Sequence, residues 1–229
     1  MTDLEQTQSV VLEAPRASGR TGAAQPVWPT ILRVAWLSIG LGLALEILLL
    51  VLAAFTDTAG ETPKPFISDL ANKISWSFIV CVGLAFGSTA GKAREGVMGL
   101  LGLISAPAGF TAARAVHKAV NASLGIAGPA MAPGLVMLVG GLKGAEYALF
   151  GAVLSWVGKR AFGLGAHAGA GLAFGLTFGL AIVAVTVNAS PTPVSLVGLI
   201  SRGINEVMFP IGCALILYAS GALAKRLPG

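Results

Sequence analysis

The chain has 229 residues, 55% of them hydrophobic and only 11% charged, with a mean hydropathy of +0.82. A soluble domain carries about a quarter of its residues as charges, so the composition argues against a water-soluble enzyme. The net charge of +5 gathers at the ends of apolar runs and reads as topology, with no nucleic-acid partner.

In chain order, residues 1–28 mix Glu, Gln, Ser, Thr, Arg, Gly and Pro without an apolar period and read as a disordered cytoplasmic tail. The remainder, 29–229, reads as one transmembrane domain. The first long apolar run, 31–55, is too long for the apolar core of a signal peptide. A helix needs about 20 apolar residues to cross the hydrocarbon. Five further runs meet that need approximately, at 74–91, 95–112, 133–157, 164–187 and 203–223. Between them, 56–73 collects turn formers and charges. Residues 113–132 place Arg114, His117 and Lys118 on a short interfacial helix before Gly and Pro. Asn188-Ala189-Ser190-Pro191-Thr192-Pro193 is a break. The expected fold is an all-α integral membrane protein of about six transmembrane helices in the lipid bilayer.

Lys and Arg set the expected orientation. With the N-terminus inside, Arg16, Arg20, Arg33, Lys92, Arg94, Lys159, Arg160, Lys225 and Arg226 lie on the inner side. Lys64, Lys73, Arg114, Lys118 and Arg202 lie outside. Nine against five predicts cytoplasmic N- and C-termini, in a bacterial inner (plasma) membrane.

The chain also resembles itself. Gly83-Leu84-Ala85-Phe86-Gly87 returns as Gly171-Leu172-Ala173-Phe174-Gly175, and Gly91 matches Gly179. Gly40, Glu46 and Leu49 align with Gly140, Glu146 and Leu149; Met98 and Gly102 align with Met208 and Gly212. Halves of 31–112 and 133–223 follow, each with three spans. An odd number of spans per half predicts a 3+3 inverted-topology repeat. Gly83, Gly87, Gly91, Gly171, Gly175 and Gly179 have the small-xxx-small spacing that lets helices pack closely, within the subunit or in a homo-oligomer. Two inverted three-helix halves, each with a glutamate in its first helix, resemble the aquaporin architecture. The Asn-Pro-Ala motifs of that family are absent, which limits the likeness to architecture.

Charges deep in a membrane are costly, roughly 2.5–3.5 kcal/mol for most types at a helix centre. Three are expected there. Lys143 and Glu146, three apart, share a helix face and can pair. Glu46 has no such neighbour, so it either reaches Lys143 across the bundle or holds a proton. Nearer an outer mouth, Arg202 and Glu206 are spaced to pair, with Asn205 beside them. Pro210 has no N–H and would leave the Glu206 carbonyl without its helical partner. Pro107 does the same for Leu103.

His117 and His167 form no metal-ligand pattern, and Cys81 and Cys213 show neither metal spacing nor a disulfide framework. No metal, no cofactor and no catalytic residue is expected. The sequence points to a membrane channel or secondary transporter for an ion or small polar solute, with Glu46, Lys143 and Glu146 lining or gating the path. Its alternative is a non-transporting accessory or assembly subunit of a larger membrane complex, with the glycine faces as docking surfaces for a membrane-protein partner.

Overall fold

The computed structural model describes residues 27–55, 66–126, 131–190 and 193–226. The expected tail lies outside them, except for its last two residues, which open the first helix. Among the described residues there are helices and turns and no strand. Six helices are long and apolar enough to cross a membrane. They are α1 (Val27–Phe55), α2 (Phe66–Ser88), α3 (Arg94–Ser123), α4 (Pro133–Lys159), α5 (Leu164–Asn188) and α6 (Leu196–Arg226).

Three boundaries differ from the hydropathy pattern by seven residues or more. α2 begins at Phe66 rather than 74, α3 continues to Ser123 rather than stopping at 112, and α6 begins at Leu196 rather than 203. Residues 113–123 therefore form no separate interfacial helix. Hydropathy falls in these segments because one helical face turns polar. The backbone hydrogen bonds of a helix are indifferent to that change.

Local signals place several ends. Pro133 opens α4 at a position where its missing N–H costs nothing. The Gly198 N–H donates to Ser195 Oγ at 3.1 Å, capping α6. Gly91, at φ +58°, turns the chain after α2 in a conformation that glycine adopts without strain.

Lipid tails are as apolar as leucine, so close packing and buried polar contacts hold such helices together more than transfer out of water does. Missing side chains permit the closest approaches. A Cβ on Gly87 would lie 2.6 Å from Met98 Cα, and one on Gly83 the same distance from Ser105 Cβ, so α2 sits hard on α3. Gly171 meets Ile211 Cα at 2.6 Å and Gly175 meets the Val207 carbonyl at 2.7 Å by the same measure, so α5 sits hard on α6. Gly179 follows against Glu206. Around Gly175–Gly179 the α5 backbone widens into a π turn at this contact. Gly102 lies directly under the Tyr147 carbonyl, and a Cβ on Gly151 would lie 2.5 Å from the Met98 carbonyl, locking α3 to α4. On the other side, Ser77 Oγ donates to the Ser38 carbonyl at 2.7 Å, tying α2 to α1. Gly91 meets nothing within 4 Å; it is a turn residue, not part of a packed stripe.

The buried core is lopsided along the bundle. Leu84, Met98, Phe150, Leu154, Cys213 and Ala214 are all buried in the half where α1, α3 and α5 begin. Trp36, Ile104, Met137 and Leu164 project outward, as side chains facing lipid do.

Candidate functional site

The opposite half is hollow. A cavity of about 1470 Å³ enters where α2, α4 and α6 begin, and all six helices line it. Three stripes of side chains explain why the sequence opens there. On α2 they are Asp69, Asn72, Lys73 and Trp76; on α3, Arg114, His117, Lys118 and Asn121; on α6, Arg202, Asn205, Glu206 and Phe209. Each follows the i, i+3, i+4, i+7 spacing of one helical face. Lys143 and Glu206 lie about ten residues into α4 and α6, hence about 15 Å deep at 1.5 Å per residue. That is about half the thickness of the hydrocarbon.

At this depth Lys143 joins two helices. Its Nζ donates to Glu146 Oε2 at 3.3 Å on its own helix and to Glu206 Oε2 on α6. The ammonium also lies 5.3 Å from the Trp76 ring centroid and 6.0 Å from that of Tyr147, a cation–π setting that favours a desolvated cation. Glu146 is 0% exposed, and its Oε1 has no hydrogen-bond partner; neither has the Tyr147 hydroxyl. One ammonium thus serves two carboxylates. Glu206 lines the cavity, whereas Glu146 lies behind Lys143 and is not part of the lining.

Two expected pairings are corrected. Glu46 neither reaches Lys143 nor stands alone: it makes an ion pair with Lys73 of α2, and both side chains are mostly buried. Hydropathy places Lys73 in a linker, but the early start of α2 carries it down the cavity wall. Arg202 and Glu206 do not pair, because Glu206 turns to Lys143. Their helical spacing permitted a bond, but the buried ammonium competes better than a solvated guanidinium. Asn205 lines the wall. Pro210 is fully buried and α6 runs through it unbroken.

Near the mouth, His117 Nδ1 is 3.5 Å from Asp69 Oδ1. Arg114 places its guanidinium 5.5 Å from the Phe110 centroid and its Nη1 2.9 Å from Met131 Sδ. Among the described residues, Arg114, Lys118 and Arg202 have no carboxylate at ion-pair distance, whereas Glu46, Asp69 and Glu206 each have a cationic or imidazole partner. Among the described residues, cationic side chains therefore outnumber carboxylates at the mouth. Asn121 is buried in the wall, and its side-chain oxygen has no partner.

Below the cluster the bundle is shut by aromatic rings. Trp76 and Tyr147 meet edge-to-face at 5.8 Å, Tyr147 and Phe150 at 5.7 Å, and Phe150 reaches Phe174 at 5.4 Å. At the level of these rings the free thiols of Cys81 and Cys213 touch at 3.1 Å. His167 is buried against Tyr218 at the far end, 4.9 Å between ring centroids. No group of three or more potential metal-ligating side chains occurs among the described residues.

The sequence reading missed Lys73, Trp76 and the α3 stripe. Their signal was present as helical spacing of polar residues beside apolar runs, which a test for uninterrupted hydropathy passes over. Fold and site together define a six-helix protein of membrane-spanning dimensions with a polar cavity open at one end. Comparison with known protein families, curated proteins and solved structures gives no match.

Proposed function

We propose that the protein is a secondary transporter for an ion or small polar solute. The observation that carries this reading is the one-ended cavity, which reaches mid-helix depth and stops at a charged cluster above an aromatic seal. A channel needs a path through, whereas a carrier needs a site reached from one side at a time. Among the described residues, Arg114, Lys118 and Arg202 line the mouth with no carboxylate at ion-pair distance, which favours an anionic solute.

The 3+3 inverted repeat belongs to this proposal. Its support is that the glycine-bearing second helix of each half packs on the third helix of the same half, at corresponding positions. Gly87 meets Met98 and Gly175 meets Val207, beside Met208. Cytoplasmic termini, supported by the distribution of Lys and Arg, would make this an outward-facing form in a bacterial inner membrane.

The test is electrical. Purified protein in proteoliposomes on a solid support is challenged with concentration jumps of sodium, potassium, chloride, phosphate and acetate. The expected result is a current with at least one of them, strongly reduced in Glu206→Gln. Currents unchanged in Glu206→Gln, Glu46→Gln and Glu146→Gln would remove the carboxylates from the mechanism. Absence of current with stable co-purification of a larger complex would replace transport with the accessory-subunit reading.

A further inference from the structure

Glu146 is the group in the cluster that the cavity does not explain. It is 0% exposed, one of its oxygens accepts from Lys143, and the other accepts nothing. A buried carboxylate oxygen left unpaired is costly, more so than a neutral polar group. Its surroundings offer little else. From α4 it faces Lys143 and the Tyr147 hydroxyl; from α6, Glu206 and the Cys213 thiol; from α2, the Trp76 ring and the Cys81 thiol lie beside the same cluster. α3 packs here through Gly102, Leu103 and Pro107. Its Arg114, His117 and Lys118 sit toward the mouth. His167, the sole titratable side chain of α5, is at the far end. On α1, Glu46 is held by Lys73. With both carboxylates ionised the cluster carries one uncompensated negative charge inside a membrane-spanning bundle.

We propose that Lys143, Glu146 and Glu206 form a one-proton site in which Glu146 Oε1 carries the proton and Glu206 exchanges it with the cavity. Adding one proton to one ammonium and two carboxylates gives zero net charge. It also turns the orphaned oxygen from an acceptor without a donor into a hydroxyl. A metal cation fits the same charge but not the space. It needs several oxygen ligands, and Lys143 already occupies the position between the two carboxylates. The proton enters from cavity water at Glu206, whose carboxylate gives up its bond from Lys143 as it becomes neutral. Lys143 then pairs with Glu146 alone. Next, Lys143 gives one of its protons to Glu146 as it takes the one on Glu206, which restores the ammonium and its bond to Glu206. A half-turn of the Glu146 carboxyl group brings the hydroxyl to the orphaned position. That this proton is the coupling ion rests on the transporter reading; the existence of the site does not.

The experiment is infrared difference spectroscopy of the full-length protein in lipid through a pH titration, which reads the C=O stretch of a protonated carboxyl group directly. At neutral pH the wild type should show such a band, shifted by deuterium exchange. Glu146→Gln should abolish it. Glu206→Gln should abolish it too, because one ammonium and one carboxylate balance without a proton. Glu46→Gln should leave it in place. If Glu146→Gln does not purify as a monodisperse species, Glu206→Gln carries the test alone. A wild type without the band at neutral pH, or a band that survives Glu206→Gln, overturns the proposal. A band that behaves as expected in a protein that gives no current keeps the proton site and removes the transporter. Currents without the band do the reverse.

Discussion

The two halves of the bundle use the same helices for opposite ends. Where α1, α3 and α5 begin, Gly87, Gly102, Gly151 and Gly171 bring backbones into contact, and aromatic rings fill what space remains. Where α2, α4 and α6 begin, the helices are spread apart and polar stripes line the gap. Small side chains close this bundle and charged ones hold it open. In the packed half charged side chains stay at the rim, where Lys159 pairs with Glu95 at 3.0 Å. In the hollow half each buried charge has a partner or faces the cavity. The Lys143 cluster sits on the boundary, with Glu206 in the cavity and Glu146 sealed off from it.

Substitutions should disturb the two halves unequally. The largest effect is expected from Lys143→Met, which leaves two carboxylates at the boundary without their cation. Breaking a buried pair in this way costs about 3–5 kcal/mol, to be read as a drop in thermal stability in detergent. Adding Glu206→Gln to that variant should recover part of the loss.

Next comes Gly102→Ala in the packed half. Its methyl group would run into the Tyr147 carbonyl, a backbone atom that cannot swing aside. Overpacking of this kind costs about 1–3 kcal/mol. The smallest effect belongs to Gly141→Ala on α4, where a Cβ meets nothing within 4 Å. There the helix should gain up to about 1 kcal/mol. Thermal unfolding of the two alanine variants side by side sharpens the contrast: equal effects would mean that the glycine contacts do not hold the packed half.

Much of the helical architecture was legible in the sequence, because uninterrupted apolar runs of membrane length have few other meanings. The Lys143–Glu146 contact was legible too, as three-residue spacing on one helix. What escaped was the set of polar helix ends. Asp69 and Lys73 looked like linker because each lowers the local hydropathy, yet their side chains turn into the bundle. The partners of Glu46 and Glu206 escaped for a related reason. Local spacing gave Glu206 an obvious neighbour in Arg202 and gave Glu46 none. Tertiary packing overrode both, since the ion pairs form between helices whose relative depth no local pattern records.

One half of the bundle admits water to the depth of the charged cluster and the other half does not. Cysteine accessibility tests it most directly. On a background with Cys81→Ala and Cys213→Ala, Asn205→Cys and Ser155→Cys are each treated, in membranes open at both faces, with a membrane-impermeant maleimide. Asn205 lines the cavity, whereas Ser155 is fully buried in the packed half. Asn205→Cys should label rapidly, and Ser155→Cys only after denaturation. Protection of Asn205→Cys, or labelling of Ser155→Cys at the same rate, would contradict it.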